Sequence, residues 1–198
     1  GAQRDGFIYV PSTYDHSVPV PLVVLLHGAG ETSLQWQSDE MTALAEEFGL
    51  VLMAPDARAR SWDFLIEGRF GADVVFLDLA LDRVFDLCNI DPTRVVLAGF
   101  SDGASYALSL GLINGDLFNH VIGFSPALLF APERRGTPDV FISHGTNDPV
   151  ISVTNSRDNL VPALRQAGYL VEYVEFDGSH AIPLSVARSA FTWIGAAP

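Results

Sequence analysis

The sequence predicts an α/β fold in which a mostly parallel central sheet is flanked by helices on both faces. Three observations favour this fold. Strand-like and helix-like segments alternate along most of the chain, which is typical of a parallel sheet with crossover helices. The central strand-like segments are apolar without polar alternation, as expected of strands buried on both sides. Four of these segments are followed directly by polar residues accompanied by glycine.

The first half of the chain is predicted to hold three strands and two helices. A short strand comes first, and an uninterrupted run of leucine and valine forms the second. The first helix has apolar residues at helical spacing and ends at Gly49, and the second has the same pattern. The predicted strands are 7–10, 22–26 and 51–54, the helices are 34–48 and 73–88, and 55–71 is irregular.

The second half continues the alternation. A turn at residues 89–92 leads into an apolar strand, and further short apolar runs are separated by helical patterns, one of them closed by Gly168. Connections are mostly short, so no large lid domain is expected. The predicted strands are 94–98, 121–124, 140–143 and 170–176, and the predicted helices are 104–112, 155–167 and 182–194.

Length and charge narrow the class of protein. A chain of 198 residues is expected to be one domain, residues 1–198. The net charge of −13 argues against nucleic acid and anionic membrane surfaces as partners, and no apolar run is long enough to span a bilayer. The single cysteine, Cys88, excludes an intramolecular disulfide. The first residues show no signal-peptide pattern, so the expected location is cytoplasmic, and secretion of a processed form is the alternative.

The turn Gly99–Phe100–Ser101–Asp102–Gly103 lies between a predicted strand and a predicted helix. A G-x-S-x-G turn in this context projects its serine out of the sheet, and the flanking glycines allow backbone segments to come close together. Ser101 is therefore the predicted nucleophile.

A serine hydroxyl needs an adjacent base, and the base needs an orienting carboxylate. His180 follows the last predicted strand, and Asp148 follows the strand before it. Ligands of a parallel sheet bind beyond the carboxyl ends of its strands, so His180 is the predicted base and Asp148 is the predicted orienting carboxylate. Asp177 is the rival orienting carboxylate, but it is only three residues from His180 in sequence, and this closeness disfavours a direct contact with the Nδ1 of that histidine. His27 and His144 are interpreted as residues that hold loops by hydrogen bonding.

Attack on a carbonyl creates an oxyanion that needs backbone donors. The Asp102 N–H at the start of the helix is one predicted donor, and the Ala29 N–H in the small-residue loop 27–30 is the second. The Asp102 side chain is expected to turn away into loop hydrogen bonds, because a carboxylate facing the pocket would oppose the developing negative charge.

Taken together, loop 27–30 and the segments 60–63, 99–103, 144–150 and 178–180 make the chain resemble the α/β-hydrolase family. The most similar branch contains small bacterial phospholipase/carboxylesterase and dienelactone-hydrolase-like esterases, with likeness also to polyhydroxybutyrate depolymerase-like and feruloyl-esterase-like proteins. The resemblance implies the α/β-hydrolase fold and ping-pong acyl transfer by a Ser101–His180–Asp148 triad. The chain departs from that branch at Asp102, where many of its carboxylesterases have glutamine.

The predicted activity is serine hydrolysis of short-to-medium neutral carboxylic esters. Alternatives are a thioesterase, deacetylase or feruloyl-type esterase with the same triad, and a catalytically silent ligand-binding protein. No cofactor or metal is expected, and the expected partner is a small ester bound by a monomer or homodimer. Predicted substrate contacts are Trp62, Phe64, Leu128, Val150 and Ile182, with ordinary packing as the alternative for each of them.

Overall fold

A seven-stranded sheet forms the centre of the protein in this computed structural model, which describes residues 5–196. Its spatial order is β1-β3-β2-β4-β5-β6-β7. All neighbouring strands are parallel except β1, which pairs antiparallel with β3 at one edge. The strands are β1 (Gly6–Tyr9), β2 (Val20–Leu26), β3 (Val51–Pro55), β4 (Ile90–Phe100), β5 (His120–Phe124), β6 (Asp139–Gly145) and β7 (Val171–Phe176).

Helices cover both faces of this sheet. They are α1 (Asp39–Phe48), α2 (Asp63–Glu67), α3 (Ala72–Leu87), α4 (Asp102–Ile113), α5 (Val161–Gln166) and α6 (Leu184–Ala196). The predicted α/β architecture is confirmed, and no lid domain is present within residues 5–196. Residues 1–4 and 197–198 of the predicted single domain lie outside the described part of the chain.

Several predicted boundaries differ from the structure, and β4 already begins at Ile90, inside the predicted turn 89–92. The predicted helix 34–48 is divided into a 3₁₀ turn, Ser33–Trp36, and α1, because Ser38 is extended and accepts the N–H of Met41 at 3.1 Å as an N-cap. The irregular segment 55–71 contains the short helix α2. The predicted helix 155–167 begins as a π turn, Asn155–Leu160, before α5.

The sheet separates two apolar cores. One core joins alternate residues of the strands to α3, α4 and α5, and includes Trp62 and Tyr106. The other joins the opposite strand faces to α1 and α6, and includes Trp36 and Phe191. The central strand β2 is buried on both sides, which explains its continuous apolar sequence.

The position of the site follows from the strand order. The chain crosses from β2 to β3 on one side, and later returns to place β4 on the other side of β2. The loops after β2 and β4 therefore diverge, leaving a crevice at the carboxyl ends of these two strands. Loop 27–30 and Ser101 lie at the two margins of that crevice.

Candidate active site

Ser101 lies on a strained turn between β4 and α4. Its φ of 57° and ψ of −116° are unusual for a residue with a side chain. A Cβ on Gly99 would be 2.2 Å from the carbonyl oxygen of Gly103, and a Cβ on Gly103 would be 2.2 Å from that of Leu26. The turn is therefore compatible only with glycine at these two positions. It is the sharp turn that the sequence predicts.

The loops that carry Asp148 and His180 are joined by their backbones. The N–H of Thr146 donates to the Phe176 carbonyl and the N–H of Asn147 to the Gly178 carbonyl, each at 2.9 Å. Gly145 permits this contact, because a Cβ there would be 2.3 Å from the Ser179 oxygen. Two loops that are separate in sequence are thus held side by side at the ends of β6 and β7.

Asp148 and His180 form the central contact of the site. The Nδ1 of His180 is 2.6 Å from Asp148 Oδ2, within a range typical of charge-assisted hydrogen bonds. The other carboxylate oxygen accepts the N–H groups of Val150 at 2.8 Å and Ile151 at 2.9 Å. The rival carboxylate, Asp177, is exposed and instead accepts the side-chain amide of Asn147 at 2.8 Å.

These contacts favour an ionised Asp148. Burial of the carboxyl raises its pKa, but the Ile151 N–H, the His180 ring and the Val150 N–H together hold the pKa below its usual value. A carboxylate fixed in this way can keep the proton of His180 on Nδ1 and leave Nε2 as the nitrogen available to a reacting group.

The His180 ring lies beside the strand end that carries Ser101. It packs on Phe100, the residue before Ser101, with ring centroids 4.7 Å apart. Within residues 5–196 no hydrogen bond joins the Ser101 hydroxyl to His180. Catalytic contacts of this kind are often long without substrate and shorten when the complex forms.

Loop 27–30 packs directly against the serine turn. A Cβ on Gly28 would lie 3.6 Å from the Ser101 Cβ. The Gly28 N–H donates to the Gln35 side chain and the Gly30 N–H to the Arg60 carbonyl, each at 2.9 Å. The Ala29 N–H lies between these two groups in sequence and has no acceptor within residues 5–196, and Ala29 is exposed. The Asp102 N–H opens α4, where first-turn donors lack helical partners.

The Asp102 side chain is engaged away from this pair of donors. Its Oδ2 accepts the hydroxyl proton of Ser61 at 2.6 Å, and Ser61 is buried. The contact agrees with the sequence-based expectation that the carboxylate turns into loop hydrogen bonds. Sequence reasoning included Ser61 only as part of segment 60–63 and gave it no role, because a single serine in an irregular segment carries no pattern.

His27 and Trp62 support the loop from beneath. His27 Nε2 accepts the Ala57 N–H at 3.0 Å, and its Nδ1 is 2.8 Å from the Gly28 carbonyl. The Trp62 indole N–H donates to the His27 carbonyl at 2.9 Å. Trp62 is only 1% exposed, so the prediction that it forms a substrate wall is wrong: the indole is a core side chain that fixes the loop.

Two buried carboxylates brace the segment that holds Trp62. Asp63 accepts the N–H of Asp73 and the hydroxyl of Tyr106, and Asp73 accepts the N–H groups of Asp63 and Arg58. Burial raises the pKa of Asp73 despite those N–H donors, and burial with the neighbouring Asp63 raises the pKa of Tyr106. This pair was not predicted, because its members are ten residues apart in sequence.

The remaining predicted substrate contacts lie on different sides of the crevice. Phe64 stacks between Phe70 and Phe130, at centroid distances of 4.9 and 5.1 Å, and Leu128 is partly exposed on the same side. Ile182 lines a cavity of about 430 Å³ beside His180. The Val150 side chain is 68% exposed, and its backbone N–H is the group that contacts Asp148.

His144 is a further residue of the site. It is fully buried, and its Nε2 lies 2.9 Å from the Ile151 carbonyl and 3.3 Å from Asp148 Oδ2. Its Nδ1 is 2.7 Å from the Ser156 hydroxyl. The Ile151 carbonyl can only accept, so Nε2 carries a proton that also faces the carboxylate. Sequence reasoning assigned this histidine to loop support and missed its contact with Asp148.

No group of three or more His, Cys, Asp or Glu side chains that could hold a metal ion occurs within residues 5–196. In the same part of the chain, no helix is long and apolar enough to cross a membrane.

Comparison with known proteins supports the fold and the family resemblance. The phospholipase/carboxylesterase family model matches residues 75–195. A bifunctional acetylxylan esterase/xylanase of Neocallimastix patriciarum is 30% identical over 159 residues, which cover 77% of this chain and 22% of that protein. NocK of Nocardia uniformis subsp. tsuyamanensis, a putative esterase by name, is 28% identical over 149 residues, 72% of this chain and 41% of that protein. The chain thus spans less than half of either curated relative.

A solved structure gives the same result for the fold. The Bacillus cereus carboxylesterase superposes with a TM-score of 0.71 at 23% identity, covering 98% of this chain and 94% of the other. The comparisons confirm the predicted α/β-hydrolase fold and the predicted resemblance to esterases.

Proposed function

The chain belongs to the phospholipase/carboxylesterase family, and on that premise we propose that it is a serine carboxylesterase acting on short-to-medium neutral esters. The observation that carries the proposal is the 2.6 Å contact between Asp148 Oδ2 and His180 Nδ1 beside the strained turn of Ser101. A buried acid, an imidazole and a projecting serine are the groups that acyl transfer requires.

In the proposed first step, His180 Nε2 takes the Ser101 proton as the serine oxygen attacks the ester carbonyl. The carbonyl π electrons move to its oxygen, which the Ala29 and Asp102 N–H groups stabilise. When the tetrahedral intermediate collapses, the bond to the alcohol oxygen breaks and His180 gives that oxygen its proton. An acyl-serine and a free alcohol result.

In the second step, water replaces the alcohol. His180 takes a proton from water, the hydroxide oxygen attacks the acyl carbon, and the bond to Ser101 breaks. The serine recovers its proton from His180, and a carboxylic acid is released. Asp148 stabilises the imidazolium that forms in both steps. The overall reaction consumes one ester and one water.

Neutral esters are favoured by the surroundings of this site. The candidate contacts Phe64, Leu128 and Ile182 are apolar, and the chain carries a net charge of −13. An anionic substrate would meet an unfavourable field at such a site.

A second candidate is hydrolysis of acetyl esters on carbohydrates. It is favoured by the 30% identity to the acetylxylan esterase/xylanase of Neocallimastix patriciarum. The same triad would serve, so the two candidates differ only in the alcohol that leaves. Release of acetate from acetylated xylan, measured beside release from a simple alkyl acetate, separates them.

The test of the proposal is serine-dependent turnover. Wild-type protein should hydrolyse p-nitrophenyl acetate and butyrate and be labelled by a fluorophosphonate, and Ser101→Ala should lose both properties. Ser17→Ala is the matched control for removal of a serine elsewhere in the chain, because Ser17 is exposed in the turn before β2. Folded wild-type protein that neither turns over these esters nor reacts with the probe would instead favour a catalytically silent ligand-binding protein.

A further inference from the structure

The serine turn is flanked by two different surfaces, one on each face of the sheet. On the face covered by α3 and α4, Phe64 and Phe70 pack against the core that contains Trp62 and Tyr106, and the Phe130 ring stacks on Phe64. On the opposite face, a cavity of about 430 Å³ opens between the segment 35–44 and the start of α6. We call this cavity the α1–α6 cleft. An ester that reacts at Ser101 has an acyl portion and an alcohol portion, and the two surfaces differ enough for each to bind one of these portions.

The α1–α6 cleft is next to the base of the reaction. Its walls include His180 and Phe100, the ring on which His180 packs. The Nδ1 of His180 is used by Asp148, so Nε2 must deliver the proton to the departing alcohol oxygen. That oxygen has to approach within hydrogen-bond distance of Nε2. The group attached to it therefore lies on the His180 side of the serine.

The lining of the cleft suits an alcohol portion of moderate size. Met41, Leu44, Ile182 and Leu184 provide apolar area, while Gln35 and Ser38 provide polar atoms. Besides His180, Glu40 is the one ionisable side chain of the lining, and it is exposed. A negative group in the cleft would face this carboxylate, whereas an uncharged or positive group would not be repelled.

We propose that the α1–α6 cleft binds the alcohol portion of the ester, that it accepts ring-sized uncharged or cationic alcohols, and that Glu40 discriminates against anionic ones. The acyl portion lies on the other side, against Phe64 and Leu128. This proposal rests on the proposed esterase function and names the substrate class that the site prefers.

The assignment has a kinetic consequence. Acylation forms the bond between Ser101 Oγ and the acyl carbon, breaks the bond to the alcohol oxygen, and sends the His180 proton to that oxygen. The alcohol then leaves, and water attacks an acyl-enzyme whose cleft no longer holds substrate. Changes in the cleft should therefore alter acylation, seen in kcat/KM, and leave deacylation of a common acyl-enzyme unaltered.

The first experiment compares acetates of methanol and benzyl alcohol. Leu184→Trp narrows the cleft, and the ratio of kcat/KM for benzyl acetate to that for methyl acetate should fall about tenfold. Met41→Ala enlarges the cleft and should raise the same ratio. Because the two variants change the cleft in opposite directions, either one can test the proposal if the other folds poorly. The matched control is Leu170→Trp, since Leu170 is 73% exposed and lies outside the cleft.

The second experiment tests charge. Glu40→Gln should raise kcat/KM for 4-acetoxybenzoate, whose alcohol portion is anionic, and lower it for acetylcholine, each by about two- to fivefold. Both effects should shrink at high salt because the carboxylate is exposed.

Two results would overturn the assignment. If Leu184→Trp changes the preference among methyl acetate, butyrate and hexanoate but leaves the benzyl-to-methyl ratio unaltered, the cleft holds the acyl chain instead. If Glu40→Gln affects the anionic and cationic acetates equally, Glu40 does not select by charge. Failure of the underlying function looks different, because wild-type protein would then show no Ser101-dependent hydrolysis of methyl acetate.

Discussion

Replacing Gly99 by alanine tests the close packing beneath the serine turn. The new Cβ would lie 2.2 Å from the Gly103 oxygen, 2.3 Å from its carbonyl carbon and 2.7 Å from the Ala104 nitrogen. All three are backbone atoms at the start of α4, so no side chain can rotate away. To accept the methyl group, β4 and α4 must move apart.

The expected loss of unfolding free energy is large. Overpacking a well-packed site costs about 1–3 kcal/mol when neighbours can yield, and backbone neighbours yield least. We therefore expect Gly99→Ala to lose at least about 3 kcal/mol, which for a domain of this size lowers Tm by about 6–12 °C. Ser101 should also be displaced, so labelling by a fluorophosphonate should slow by at least about tenfold.

Urea denaturation and fluorophosphonate labelling measure the two effects. Gly49→Ala is the matched control: Gly49 has a φ of 63° and an added Cβ would meet no atom within 4 Å, so its cost of about 1 kcal/mol is conformational only. If Gly99→Ala is no less stable than Gly49→Ala and is labelled at the wild-type rate, the steric account of the turn is wrong.

Three further predictions concern the groups around the serine. The pKa of Asp148 is lowered in the folded state, so the contribution of its carboxylate to stability is complete above the unfolded pKa of about 4 and is lost as the pH falls through the native pKa. In urea denaturation, the stability advantage of wild type over Asp148→Asn should therefore shrink below pH 4. A constant difference between the two proteins down to pH 2.5 would contradict this. His144→Ala should lower kcat/KM about tenfold, because Asp148 loses a donor that holds it in place. His144→Gln keeps an N–H donor and should recover part of the lost kcat/KM and of the wild-type pH profile. Equal defects in the two variants would indicate that His144 has a packing role alone. Ser61→Ala should lower kcat several-fold, about 1 kcal/mol, because it frees the Asp102 carboxylate beside the oxyanion. In a double-mutant cycle, adding Asp102→Asn should remove that loss. Additive losses of the two substitutions would exclude the coupling.

The central fold was predictable because its signals are local. The continuous apolar sequence of β2 indicates a strand buried on both faces, and the structure confirms that it is. The turn at Ser101 was predictable for the same reason, since the two glycines on either side of the serine encode its shape within one short segment. The roles of Ser101, Asp148, His180, Ala29 and Asp102 remain predictions until activity is measured.

Errors occurred where a side chain's surroundings come from distant segments. Trp62 lies in the irregular segment after β3, and that position favoured a place in the wall of the pocket. The structure buries it between His27 and Tyr106, because its indole N–H meets the carbonyl of the residue that follows β2. No local pattern around residue 62 carries that information.

The sequence by itself determined the alternation of strands and helices, the shape of the serine turn and the choice of polar residues at the strand ends. These depend on periodicity and on glycine, which act over a few residues. Only the tertiary structure decided which histidine faces which carboxylate: Asp148 contacts both His180 and His144, while Asp177 turns to Asn147. The reason is physical, since a hydrogen bond is decided within about 1 Å, and that precision comes from how β6 and β7 pack together rather than from the residues next to each group.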